Sequence, residues 1–307
     1  MGLKLKSLIH NKKGFEISFS WLFSIIAGMS IFLFFVWFAV QQTDLFGNLT
    51  AKVAVEELDI AFTGFKSNLV GSKLDFGKEI ELEFKCDSST LDEERMFING
   101  IAGKKLKGNL VFAPSLMKSN EFKLFTASWN APFRVTNFIF LNSNKDLLDL
   151  SDQFFGEIPD IFNDGSAGVL PKIIPGTLSG DSCSAQKEIY YQIDPDTGEA
   201  YGGICLGRTE PYPYYGDAFV YAAVFADEEN FGCIHENALR KFGIMRELYI
   251  EKVKAIRIIS SCSFEADRME SALNKLDITD SDTISDTIKE VKERNDALLR
   301  EGCEGIY

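Results

Sequence analysis

Histidine is almost missing from this chain: two in 307 residues, His10 and His235. Cysteine is sparse as well, at six, and no pair has CxxC spacing. Zinc sites draw on clustered thiolates and imidazoles, so a metal centre of that kind is not expected. No GxSxG surrounds a serine, and no P-loop or GxGxxG opens a helix after a strand, which removes the usual nucleophile elbow and phosphate cradles. Internal repeats and low-complexity tracts are absent. Positive charge is short, with 32 Lys and Arg against 45 Asp and Glu and a net charge of −13. An acidic surface of this size is repelled by phosphate backbones, so no nucleic-acid partner is expected.

What the chain has in excess is phenylalanine, 27 residues, six of them in one apolar block. Phe19 to Val40 runs for 22 residues without a charge and holds 13 Leu, Ile, Phe or Val. As a helix it spans about 33 Å, and those side chains favour insertion by about 4 to 8 kcal/mol. Trp21 and Trp37 stand near its ends, where indoles prefer an interface. Lys4, Lys6, Lys12 and Lys13 precede it, and no cation follows until Lys52. The expectation is a transmembrane helix with a cytoplasmic amino end, bilayer lipid around it and everything beyond residue 42 outside the cell membrane. The cysteines fit that compartment: Cys86, Cys183, Cys205, Cys233, Cys262 and Cys303 are even in number and all lie on the outer side. Cys262 with Cys303 is the pairing expected to staple the carboxyl-terminal helices.

Beyond the block, Leu49, Val53, Leu58 and Phe62 give a loosely helical pattern, with Gly47 as a weak point. Asn48-Leu49-Thr50 has the form of a glycosylation sequon. In KEIELEFKC, Ile80, Leu82, Phe84 and Cys86 alternate with charges, the period of a half-buried strand. Further strands are expected at Met96–Asn99, Leu106–Ala113, Phe122–Ser128 and Phe133–Leu141. Glu188–Ile193 and Ala200–Leu206 read as a hairpin around Asp194-Pro-Asp-Thr-Gly198. The nearly all-apolar Phe219–Ala226 predicts a central strand, and the Gly- and Pro-rich 156–180 an irregular connection. Cys233–Ile259 carries a helical stripe, and two more helices follow, the last opening near Thr279. The fold class expected is α+β: a single transmembrane helix, an extracytoplasmic antiparallel β-sheet domain, then helices. The boundaries drawn are 1–14 leader, 15–42 membrane helix, 43–76 helical stalk, 77–231 β-rich ectodomain and 232–307 helical region.

Candidate chemistry is thin. Asp196-Thr197-Gly198 matches the core of an aspartic protease loop, but such an enzyme needs a second copy, and the polar turn is the simpler reading. Asp194 and Asp196 hint at a calcium loop, yet the twelfth position, where an EF-hand places Glu, is Cys205. His235 follows Cys233 where the helix is expected to begin, which suits a surface or capping residue. The acids Asp277, Asp280, Asp282 and Asp286 suit a solvated helix start. The tyrosine-rich Glu210–Tyr221 reads as a Pro-shaped turn into a core strand, and its composition also suits a sugar- or protein-binding face. No catalytic residue and no cofactor are expected.

The amino-terminal stretch resembles the class III signal peptide of archaeal type IV pilin-like proteins. Lys12-Lys13-Gly14 followed by Phe15 matches their basic segment and cut site, with Phe19–Val40 as the helix retained on the mature subunit. The resemblance covers about 30 residues. It implies cleavage between Gly14 and Phe15, and assembly through the helix into a homo-oligomer or with related membrane subunits. Family members often carry a glutamate at the fifth mature position, whereas here Glu16 is the second and Phe19 the fifth. A cut after Gly14 creates an ammonium beside Glu16, which suits a carboxylate at a helix start. Ser20, Ser24, Ala27, Gly28 and Ser30 allow close helix–helix approach. The reading that follows is a non-enzymatic, membrane-anchored structural or adhesive subunit of the cell surface. The alternative is an uncut single-pass binding protein for a sugar, peptide or envelope component, with an extracellular hydrolase third.

Overall fold

The structure, a computed structural model, describes residues 19–64, 71–86, 94–100, 103–106, 108–143, 172–176, 183, 187–259, 261–280 and 283–307. The chain divides into two compact units, Met1–Thr50 and Ala51–Tyr307.

Helix α1 (Phe19–Gly64) is 46 residues long. It overturns the expected transmembrane helix over 15–42: among the described residues, no helix is long and apolar enough to cross a membrane. Nor does the helix end at Gln42. Its later turns are charged, with Ala54, Leu58 and Phe62 on one buried stripe. Gly47 does not break it, since a single glycine costs a helix only about 1 kcal/mol. Gly14, Phe15 and Glu16 lie outside the described residues, as do the Asn48 sequon side chains.

The second unit is α+β. A five-stranded sheet contains β1 (Ser72–Lys85), β2 (Arg95–Ile98), β3 (Leu110–Phe112), β4 (Leu116–Asn130) and β5 (Arg134–Ser143), in the order β2-β1-β4-β5-β3. A four-stranded sheet follows: β6 (Lys172–Pro175), β7 (Glu188–Ile193), β8 (Ala200–Cys205) and β9 (Tyr212–Tyr215), in sequence order. The expected all-antiparallel arrangement is corrected at two places. β5 inserts between β3 and β4, which leaves β3 parallel to β5, and β6 runs parallel to β7. The β7–β8 hairpin lies where expected, its second strand ending at Cys205 one residue before Leu206, with the DPDTG turn setting its register.

The expected central strand at Phe219–Ala226 is instead a helix, α2 (Asp217–Phe225). An apolar run of this length carries no periodicity to separate a buried strand from a buried helix. Gly216, at φ 99°, turns the chain out of β9, a conformation glycine adopts without a Cβ penalty. Ala218 through Phe225 are all buried, and α2 packs against β4, β5 and β8.

The remaining helices are α3 (Glu228–Arg257), α4 (Ser263–Lys275) and α5 (Ile284–Arg300). α3 begins five residues before the expected Cys233 because Asp227 caps it, accepting from Asn230 N at 3.0 Å through Oδ1. The other Asp227 oxygen accepts from Ser115 N at 2.7 Å, so the same carboxylate ties α3 to the turn before β4.

The first sheet buries both faces. Phe112, Phe125, Trp129, Phe138 and Phe140 face the helices and the second sheet. Trp129 donates its indole N–H to Tyr215 O at 2.8 Å, joining the two sheets. On the opposite face, Leu82, Phe84, Val111, Phe122, Leu124, Ile139 and Leu141 enclose Ala54, Leu58 and Phe62 of α1. Three disulfides pair all six cysteines: Cys86–Cys233, Cys183–Cys205 and Cys262–Cys303, the last as expected.

Candidate functional site

The residues singled out from sequence mostly hold the fold. Asp194 is buried, at 1 % exposure. Its Oδ1 accepts from Asp196 N at 2.9 Å and Thr197 N at 3.0 Å, and its Oδ2 from Ser285 Oγ at 2.7 Å. The DPDTG turn is thus a clasp on α5, reinforced by Lys289 against Asp196 at 3.0 Å. Among the described residues, no group of His, Cys, Asp and Glu could hold a metal ion. Replacing Asp194 by Asn keeps one acceptor and removes the charge. This is expected to lower stability by about 1 to 2 kcal/mol. The check is urea denaturation with and without calcium: a calcium-dependent rise in midpoint in the native protein would defeat the clasp reading.

His235 is not the surface or capping residue expected. It is 3 % exposed, inside α3. With the helix starting at Glu228, position 235 falls two turns in, on the inner face. Its Nε2 donates to Pro213 O at 2.7 Å, and the ring stacks on Phe231. Burial pulls the imidazole down to about 4, against the smaller upward effect of the Pro213 carbonyl. The tyrosine run is also core. Tyr214 and Tyr215 are each 1 % exposed, and burial raises both phenols. Of the acid set, Asp277 accepts from Thr279 N at 2.8 Å and Asp280 from Thr283 Oγ1 at 2.8 Å, as local turns; Asp282 lies outside the described residues. Among the described residues, nothing outside its own helix backbone lies within 4 Å of where a Gly28 Cβ would stand.

The sequence did not point to the concavity that the first sheet forms, with a volume of about 290 Å³. Its described lining is Gly108, Asn109, Thr126, Arg134, Val135, Thr136, Asn137 and Ile139. Strand pairing explains why they meet. Leu124 sits opposite Leu141, Thr126 opposite Ile139, and Ser128 opposite Asn137. Along this face the composition changes from the apolar pairs around Phe62 to hydroxyls, carboxamides and one guanidinium. Asn137 Oδ1 accepts from Arg134 Nη2 at 2.9 Å and from Ser128 Oγ at 3.2 Å, which fixes the guanidinium against the cleft wall. Lys241 of α3 donates its ammonium to Gly108 O, behind the opposite wall.

Glu94 was also missed. It is 2 % exposed, just before β2. Its Oε2 accepts from Val111 N at 3.3 Å, and its own carbonyl accepts from Leu106 N at 2.9 Å. Oε1 has no partner among the described residues. Burial raises this carboxyl from 4.5 to about 8, opposed by the Val111 N–H and by Lys241. A carboxyl so placed is largely protonated at neutral pH.

No family model, curated protein or solved structure matches the chain.

Proposed function

We propose that the chain is a pilin-like structural or adhesive subunit of the cell surface, cut between Gly14 and Phe15 and self-associating through α1. The observation that carries this reading is the character of α1 from Trp21 to Phe38. Its described side chains there are mostly apolar and, Ala27 apart, exposed, Phe32 at 66 % and Trp37 at 57 % among them. A helix without a wet face needs cover all round, and equivalent helices of other copies supply it in a filament core. Gly28 supports the same reading. A glycine inside a helix costs about 1 kcal/mol relative to alanine, and among the described residues no neighbour requires its small size. Its use lies in close approach by another helix. The new ammonium at Phe15 would then partner Glu16, whose carboxylate is costly to bury alone. The three disulfides support a location outside the cytoplasm, where such bonds persist.

Two measurements test this. Mass spectrometry of the protein isolated from its cell should find Phe15 as the first residue; an intact Met1 overturns the processing step. Replacing Gly28 by Leu should weaken self-association about tenfold or more, since overpacking costs about 1 to 3 kcal/mol, while the melting temperature of the second unit stays put. Unchanged sedimentation in that variant sinks the packing role.

The cleft around Arg134 favours a second reading, a binding protein whose α+β domain takes a small polar ligand. It draws on different residues from the first and is compatible with an adhesive subunit.

A further inference from the structure

We propose that the Cys86–Cys233 disulfide is a thiol–disulfide exchange site, open to a thiol carried on a cationic molecule, with Glu94 as the proton donor to the departing Cys86 sulfur. The inference draws on neither α1 nor the cleft around Arg134.

Access is the first argument. Of the three disulfides this is the one in which neither cysteine is buried. Cys205 is 0 % exposed, and Cys262 and Cys303 are 3 % and 7 %. Cys233 also lines a groove of about 660 Å³ along the first turns of α3. Exchange requires a thiolate to reach one sulfur of the bond. Access therefore selects this bond, and Cys233 as the sulfur attacked. Asp227, Glu228, Glu229 and Glu236 line the same groove. These carboxylates repel an anionic thiol and draw a cationic one.

The seam behind the bond is the second. Phe84 and Met96 are partners in the β1–β2 ladder. Two residues beyond each, on the same face, come Cys86 and Glu94. Both meet α3. Asn237 donates its Nδ2–H to Cys86 Sγ at 3.4 Å, and Lys241, one turn along, acts electrostatically on Glu94. Two buried oxygens without a partner among the described residues, Glu94 Oε1 and Asn237 Oδ1, belong to this seam. Buried polar atoms are paired as a rule, and a redox role is one reason for an exception. Burial keeps the Glu94 carboxyl protonated up to about 8, so at neutral pH it has a proton to give.

In the exchange, the incoming thiolate attacks Cys233 Sγ. A new S–S bond forms there as the Cys86–Cys233 bond breaks, and the electron pair of the old bond leaves on Cys86. The incoming sulfur is oxidised and Cys86 is reduced. The Asn237 N–H supports the Cys86 thiolate until the Glu94 carboxyl passes it a proton. The carboxylate left on Glu94 is stabilised by the Lys241 charge. The product is a mixed disulfide on Cys233. The Cys86 thiol stays beside it and closes the original bond again once the incoming thiol is removed.

The test is brief exposure of the full-length protein at neutral pH to excess cysteamine or mercaptoacetate, trapping with iodoacetamide, and mass mapping of the cysteines. With cysteamine, Cys86–Cys233 should open at least about tenfold faster than either other bond. The adduct should lie on Cys233 and the trapped thiol on Cys86. Dividing each thiol's rate by its rate on the urea-unfolded chain removes differences in intrinsic reactivity. On that scale cysteamine should outpace mercaptoacetate at least about tenfold. Changing Glu228, Glu229 and Glu236 together to Gln should shrink that margin. Glu94→Gln has no proton to give and should slow the opening at least about tenfold, with the melting temperature at neutral pH not lowered. A purely structural Glu94 would instead leave the bond opening as fast or faster. The order of opening and the site of the adduct are read in the native protein, so they decide the matter if Glu94→Gln disturbs the fold. Another disulfide opening first, an adduct on Cys86 in place of Cys233, equal scaled rates for the two thiols, or the native rate in a folded Glu94→Gln overturns the proposal. None of these results bears on the Gly28 measurement.

Discussion

Removing the Cys86–Cys233 disulfide by replacing both residues with alanine is expected to cost up to about 5 kcal/mol, the largest effect of any substitution discussed. The bond spans 147 residues, and the loop-closure entropy it withholds from the unfolded chain grows with that span. On the same scale Cys262–Cys303, at 41 residues, contributes about 4 kcal/mol, and Cys183–Cys205, at 22, about 3 kcal/mol. Location strengthens the ordering. Cys86 stands at the end of β1 and Cys233 inside α3, so the long bond joins the first sheet to the main helix. Asn237 of α3 donates to Cys86 Sγ at 3.4 Å, and that contact is lost as well. Guanidinium denaturation of the three double variants checks the ranking. A loss under about 1 kcal/mol for the Cys86 pair, or a larger loss for the Cys183 pair, contradicts it.

Glu94 gives the second large effect, and it depends on pH. The folded state keeps a proton on this carboxyl up to about pH 8, whereas the unfolded chain releases it near 4.5. Between those values the folded state binds more protons, so stability falls as pH rises, and the loss is complete above 8. At ~1.4 kcal/mol per unit the full span amounts to about 4 to 5 kcal/mol. Two other groups slope the opposite way outside a narrow window. His235, lowered from 6.5 to about 4, makes stability fall as pH drops below 6.5. Lys187, lowered from 10.5 to about 8 by burial, makes it rise again above 8. The clean reading is therefore from pH 6.5 to 8, where the native protein should lose about 2 kcal/mol. Glu94→Gln imitates the protonated acid and should show no such loss. Parallel stability curves for the two proteins across that window would refute the assignment.

Legibility from sequence followed the periodicity. β1, the β7–β8 hairpin and the stripe of α3 were readable because alternation or a 3.6-residue repeat coincided with turn or charge signals. α2 was not, because FVYAAVFA offers every face the same chemistry. His235 was misplaced through an error of five residues in the start of α3, and the cap that sets that start, Asp227, is one acid among three in a row. Glu94 hid in the same way inside LDEERMF. The cleft was out of reach on principle. Asn109, Thr126 and Asn137 belong to different parts of the chain and become neighbours only through the register of β4 with β5 and of β3 with β5. No linear pattern encodes that adjacency.

The burial of α2 has a consequence for how the domain comes apart. A nine-residue helix with no wet face has no stability of its own, and it loses its surroundings if either sheet withdraws. Opening one sheet therefore exposes Phe219, Val220 and Phe225 at once, and the other sheet is left against water. The two sheets share one fate, and partial unfolding of the domain is confined to its edges.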